Sequence, residues 1–218
     1  MGNQPNLCEE RRLWSRGYRR VAGVDEAGRG AWAGPVVAAS VILPPSASDG
    51  ASAELATLLD PVRDCKLLTG RSRERCYSLI LEHALAYGVG FVSAAEIDRI
   101  GIMRATRMAM SQAIQALAPP PDYLLIDAVA LPQIAIPQTA RPKADVDILS
   151  VAAASVIAKV TRDRWMVALD KSLGGYGLAQ HKGYGTEGHR TALAALGPSA
   201  EHRYSYAPIR KLKGADDG

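Results

Sequence analysis

The sequence predicts an α/β fold in which a mixed sheet is covered by helices. Three observations carry that expectation. Two apolar segments, 20–25 and 34–43, flank a short glycine-rich connection at 26–33, so they read as antiparallel neighbours. Further apolar segments at 88–93 and 123–126 alternate with amphipathic helical stretches. Aromatic residues are scarce, with one Phe, so Ala and Val must fill much of the core and the layers must approach closely.

Taken in order, residues 1–17 read as a loose or short helical arm. Small and β-branched residues make 20–25 a strand, and 34–43 is a second strand, apolar on both faces and stopped by Pro44-Pro45. Ser, Ala, Gly and Asp dominate 45–57, which predicts a loop. A helix fits 72–87, where Cys76, Leu79, Ile80, Ala84 and Tyr87 share a face and Gly88 ends it. Gly-Val-Gly-Phe-Val-Ser at 88–93 reads as a strand. The stripe Ile102, Ala105, Ala109, Ala113, Leu117 predicts a helix over 102–117, stopped by Pro119-Pro120-Pro121. Tyr123-Leu-Leu-Ile126 is a short buried strand, and Ile134 and Ile136 suggest another. An Ala-rich helix spans about 148–170, with Ala152-Ala-Ala154, Ser155 and Ala158 as core. Five glycines make 174–185 a loop, after which Thr186 caps a helix running to Leu196, closed by Gly197-Pro198. This organisation divides into an arm (1–19), a main unit (20–172) and a C-terminal helical extension and tail (173–218).

A net charge of +4 and a pI near 9.0 tolerate a polyanionic partner without demanding one. The basic excess is local: Arg11, Arg12, Arg16, Arg19 and Arg20 near one end, Arg203, Arg210, Lys211 and Lys213 near the other. Three cysteines without metal spacing fit a reduced, cytoplasmic setting. There is no apolar leader, and prolines interrupt the longest uncharged stretch, so a soluble protein without membrane association is expected.

The chemistry concentrates in acids that end or follow apolar segments: Asp25 and Glu26, adjacent after Val21-Ala-Gly-Val24; Asp127, after Tyr-Leu-Leu-Ile126; and Asp145, just before the Ala-rich helix. Adjacent carboxylates at the end of a buried strand repel each other and resist desolvation, and a divalent cation removes both penalties. Hard ions such as Mg²⁺ or Mn²⁺ prefer such oxygen ligands. Neighbours on a strand point to opposite faces, so Asp25 and Glu26 share a site only where the strand ends and twists; Ala27-Gly28-Arg29-Gly30 supplies that ending. The same glycines leave backbone free for close approach of a ligand. A P-loop is disfavoured because Arg29-Gly30 stands where Lys-Ser/Thr belongs. A dinucleotide fingerprint is disfavoured because Gly34-Pro35-Val36-Val37 continues as a strand rather than a helix. His181-Lys-Gly-Tyr-Gly-Thr186 presents Tyr184 between glycines, suited to stacking on a base or sugar. Lys66, in Asp64-Cys-Lys-Leu67, is a candidate phosphate contact, and His83, His181, His189 and His202 read as surface or hydrogen-bonded histidines.

Together these segments resemble the type 2 ribonucleases H, on the bacterial ribonuclease HII branch, from about residue 20 to about 208. The residues that carry the resemblance are Gly23-Val-Asp-Glu-Ala-Gly-Arg-Gly30, Asp64-Cys-Lys-Leu67, Glu96-Ile-Asp98, Ile126-Asp127, Asp145, Ala152-Ala-Ala-Ser155, Ala158-Lys-Val-Thr-Arg-Asp163, His181-Lys-Gly-Tyr-Gly-Thr186 and His202-Arg203. The resemblance implies a ribonuclease H-like mixed sheet flanked by helices, with a C-terminal helical extension. It implies cleavage of the RNA strand of RNA–DNA hybrids and incision 5′ to single ribonucleotides in duplex DNA, by a monomer using Mn²⁺ or Mg²⁺. It assigns the metal-binding carboxylates to Asp25, Glu26, Asp127 and Asp145, and substrate contacts to Gly28, Arg29, Gly30, Lys66 and Tyr184. Three positions depart from the family pattern: Ala31 replaces the usual Pro, Cys65 a Ser, and Ala144 a Gly. Asp147 competes with Asp145, but the spacing to Ala152-Ala-Ala-Ser155 favours Asp145. The alternatives are a non-catalytic hybrid-binding module and another metal-dependent nuclease of the same fold.

Overall fold

The computed structural model describes residues 4–45, 49–62 and 68–213. Strands β1 (Val21–Ala27) and β2 (Val36–Ile42) pair antiparallel, and β3 (Ala86–Val92) adds antiparallel to β2. On the other side β4 (Tyr123–Asp127) runs parallel to β1, and β5 (Gln138–Arg141) parallel to β4. The sheet order is β3-β2-β1-β4-β5, so direction switches at β1.

Alternation along β1 separates two cores. Val21 and Ala27 face α6 (Leu149–Leu173), whose Ala152, Ala153 and Ala154 are fully buried; Ala22 and Val24 face α5 (Ile102–Gln115). Small residues let α6 lie directly on the strand. A Cβ built on Gly23 would stand 2.1 Å from the Ser150 carbonyl carbon, so only glycine allows this crossing. Gly88 and Gly90 give α5 the same close approach to β3, where Cβ atoms would fall 2.1 and 2.0 Å from the carbonyl oxygens of Ala113 and Ala109.

Helix α1 (Cys8–Trp14) sends Glu10 into the interior, where its Oε1 accepts the Ser150 backbone N–H at 2.8 Å. The first turn of α6 has no side-chain cap from its own flank, Ile148, so Glu10 supplies that acceptor from the distant arm. A third cluster, Ala33, Met166, Tyr176, Leu178, Leu193 and Ile209, fastens α7 (Leu178–His181), α8 (Glu187–Leu196) and α9 (Ala207–Lys213) to the end of α6. Thr186 caps α8 as expected, accepting the His189 N–H.

Several expectations are corrected. The stretch read as a loop at 45–57 contains α2 (Asp49–Leu58), because Leu55 and Leu59, one turn apart, bury against the core. The helix expected over 72–87 is α3 (Gly70–His83): Ala84 turns extended, and Tyr87 and Gly88 join the ladder opposite Val41 and Ser40. Sheet pairing here overrides a helical stripe. Ile134 and Ile136 are half-buried rather than in a strand; Pro137 interrupts, and the ladder forms at Gln138–Arg141. The 174–185 loop holds the short α7, and a further helix, α4 (Ala94–Ile100), is capped by Ser93.

Candidate active site

Strand β1 does not end at Asp25. It continues to Ala27, with Asp25 opposite Ala39 and Glu26 opposite Ala38. What ends is its pairing with β4, whose last register is Val24 with Ile126. Beyond that point the β4-side edge of β1 opens, and a pocket of about 290 Å³ forms there. Asp25, Glu26, Gly28, Arg29, Gly30, Asp127 and Tyr184 all line it. The two adjacent acids thus meet one pocket through the opened edge, not through a strand terminus.

Asp25 is 5% exposed. Burial pushes its carboxyl well above the usual range, and the charges of Glu26 and Asp127 push further; bonds from the Ser155 hydroxyl and the Glu26 N–H (2.7 Å) oppose this only in part. Glu26 is paired with Arg29 at 3.2 Å. Asp127 is oriented by the Ala144 N–H, donated to its Oδ1 at 2.8 Å. Asp145 lies beside that contact, in a 3-10 turn over Ala144–Val146, and is 2% exposed; it does not line the pocket. Its competitor Asp147 is engaged by Arg141 at 2.6 Å. Among the described residues, no three acid, imidazole or thiol groups are drawn together closely enough to enclose a cation as they stand. Lys66 falls outside the described residues.

One buried arginine, Arg203, bonds the Gly28-Arg29-Gly30 backbone, and a second, Arg162, packs against Gly28 and bonds the segments that flank the motif. Arg203 donates to the carbonyls of Arg29 (3.0 Å) and Gly34 (3.0 and 2.9 Å), and the Tyr206 hydroxyl also reaches the Arg29 carbonyl. Arg162 donates to the carbonyls of Pro35, Ala33 and Lys182. Burial lowers the Arg162 guanidinium to about 10, so it keeps its charge at neutral pH. Gly28 has φ +95°, and a Cβ there would strike Arg162 Nε at 2.1 Å, so the motif requires glycine on two counts.

Three lining residues escaped the sequence reading. Ser155, read as core, bonds Asp25, while Lys159 and Arg73 both pair with Asp163, at 2.7 and 3.1 Å. The signal was present for two of them: Ser155, Lys159 and Asp163 recur every fourth residue, on one face of α6. Of the two options expected for the histidines, surface or hydrogen-bonded, His189 and His202 take the second, hydrogen-bonded in full burial.

A family model described as Ribonuclease HII matches residues 22–209. The chain belongs to the ribonuclease HII family. A ribonuclease HII from Chloroflexus aurantiacus is 54% identical over 205 residues, 94% of either chain. Among solved structures, ribonuclease H2 from Pyrococcus horikoshii OT3 superposes with a TM-score of 0.73 at 27% identity, covering 90% of this chain and 98% of its own. The ribonuclease HII of a PCNA complex from Archaeoglobus fulgidus gives 0.71 at 27% identity, covering 88% and 96%. The protein is therefore a type 2 ribonuclease H, a hydrolase acting on the RNA strand of RNA–DNA hybrids. Among the described residues, no helix is long and apolar enough to cross a membrane.

Proposed function

We propose that this ribonuclease HII also incises duplex DNA 5′ to a single embedded ribonucleotide, with Mn²⁺ or Mg²⁺ held by Asp25, Glu26, Asp127 and Asp145. One observation carries the reading: Asp25, Glu26 and Asp127, the Gly28-Arg29-Gly30 backbone and the Tyr184 ring line a single pocket, and Asp145 lies buried beside the bond from Ala144 to Asp127. The donor set fits a hard divalent ion, being all oxygen, and Asp25 is held away from its ionised form by burial and by like charges that a cation would neutralise. A pair of such ions, when bound, supplies an activated water and neutralises charge on the departing oxygen.

The chain's own groups then divide the remaining work. Water oxygen bonds to phosphorus as the P–O3′ bond breaks, leaving a 3′-hydroxyl and a 5′-phosphate. Backbone groups of Gly28–Gly30 hydrogen-bond the 2′-hydroxyl, the atom that separates RNA from DNA. Tyr184, 36% exposed, stacks on the deoxyribose at the junction. Arg73 and Lys159 face phosphates, as would Lys66, so binding falls with salt. The arm (1–19) and the helical extension (173–218) flank the catalytic unit (20–172).

The test maps cleavage on a duplex with one ribonucleotide, over a Mn²⁺ and Mg²⁺ series with an EDTA control, for the wild type and Asp25→Asn. Expected are a single cut on the 5′ side of the ribonucleotide, abolished by EDTA and by Asp25→Asn, with the variant still folded. Wild-type cleavage by Asp25→Asn would remove the metal site, and a duplex left intact while continuous hybrid is cut would remove the incision reading.

A further inference from the structure

We propose that His189 and His202 are positioning residues for Tyr184, acting through a one-way chain of hydrogen bonds that ends on its backbone carbonyl. The inference rests on the reading that the Tyr184 ring stacks at the RNA–DNA junction.

The direction of the chain follows from fixed backbone groups. The Ser199 N–H donates to His202 Nδ1 at 3.0 Å, so the neutral His202 ring carries its proton on Nε2. That Nε2 lies 3.0 Å from His189 Nε2, which must accept. His189 therefore carries its proton on Nδ1, which donates to the Tyr184 carbonyl at 3.1 Å. All four ring nitrogens are used, which is what burial of both imidazoles demands. A proton added to either ring would set two N–H groups against each other. Burial also lowers both imidazoles, His189 to about 4, so the chain keeps one protonation state at neutral pH.

The surroundings show that the chain serves the Tyr184 loop. His181 stacks on His189 with ring centroids 4.3 Å apart, and its Nδ1 accepts the Gly183 N–H at 3.2 Å. The Trp32 N–H donates to the Gly183 carbonyl at 2.8 Å, and a Cβ on Gly185 would meet the Trp32 ring at 2.1 Å. The Thr186 N–H shares the Tyr184 carbonyl at 2.8 Å. The backbone around Tyr184 is thus clamped on every side. Its ring remains in the pocket, with the Lys159 ammonium 5.6 Å and the Arg162 guanidinium 5.5 Å from its centroid. A clamped backbone with an accessible ring is the arrangement a stacking platform needs, because freezing the loop beforehand lowers the ordering cost on binding.

Amide variants of different reach test this. In His189→Asn the amide replaces Nδ1 and keeps the bond to Tyr184; in His189→Gln it replaces Nε2 and keeps only the bond to His202. At His202 the preference reverses, since Gln retains the link to His189 and Asn retains only the Ser199 side. We expect kcat/KM on the single-ribonucleotide duplex to fall about tenfold in His189→Gln and His202→Asn, the worth of one hydrogen bond. His189→Asn and His202→Gln should stay within about threefold of wild type, and continuous hybrid should be affected less. In a Tyr184→Ala background the variants at each position should become equal within about twofold, since the ring they position is gone. A general loss of stability would instead depress both substrates and persist in that background. Losses that add to Tyr184→Ala, or equal behaviour of Asn and Gln at both positions, would overturn the proposal while leaving the Tyr184 reading intact. An inert Tyr184→Ala would overturn both. The two positions give independent contrasts, so failure of one variant to fold leaves the other decisive.

Discussion

Glu10→Gln should change how the stability of this protein responds to pH. Glu10 is fully buried, and burial raises its carboxyl from 4.5 to about 7 even though the Ser150 groups at the start of α6 favour the charged form. Between those two values the native state binds more protons than the unfolded chain. Glu10 therefore contributes stability that is full below pH 4.5 and is lost as pH rises through about 7. Two and a half pH units at 1.36 kcal/mol each come to about 3 kcal/mol. His189 works in the opposite sense: its folded value near 4 lies below the unfolded 6.5, so its contribution is present above pH 6.5 and lost as pH falls towards 4. The two slopes oppose each other between 4.5 and 6.5, while Asp25, also raised, adds to the Glu10 slope. Glutamine keeps an oxygen for the Ser150 N–H but cannot ionise. Comparing variant with wild type cancels every other group and isolates this one. Urea unfolding followed by far-UV circular dichroism, at pH 4 and at pH 8.5, should show the variant gaining about 3 kcal/mol on the wild type across that interval. A constant offset at all pH values would show that the buried carboxyl does not bear the assigned proton.

Two glycines should separate packing from substrate contact. Gly23→Ala places a Cβ against the backbone of Ser150 and Val151, which cannot yield, so a loss above about 3 kcal/mol or an insoluble protein is expected in the same unfolding assay. Gly30→Ala meets nothing within 4 Å; its melting temperature should hold within about 2 °C while cleavage of the single-ribonucleotide duplex falls, and a falling melting temperature would refute the distinction. Arg203→Lys should cost about 2–4 kcal/mol and blur discrimination between ribo- and deoxyribonucleotide duplexes, since an ammonium cannot reproduce the fork that holds the Arg29 and Gly34 carbonyls. Unchanged discrimination in competition cleavage would show that Arg203 does not hold the glycine motif in place.

The elements legible in the chain are those whose signal is local. Alternation and apolar runs mark β1, β2 and β4, the alanine stripe marks α5, and Thr186 marks the start of α8. Where a pattern serves two structures, distant partners decide. Tyr87 completes a helical stripe on paper but pairs with Val41 in the sheet. Leu55 and Leu59 sit in a segment of loop-like composition, yet the core they reach makes it helical.

The same division runs through the site. Short motifs in the sequence named Asp25, Glu26, Asp127, Gly28-Arg29-Gly30 and Tyr184, because chemistry of this kind confines residue types within a few positions of one another. Folding alone decided that β4 pairing stops at Val24 and opens the pocket. It decided that Glu10 reaches Ser150 across 140 positions and that His202 reaches Tyr184 through His189. The Glu10 contact needs the arm to close on the start of α6, and the histidine chain needs α8 and its flanking turns to fold on one another, so neither leaves a period in the sequence.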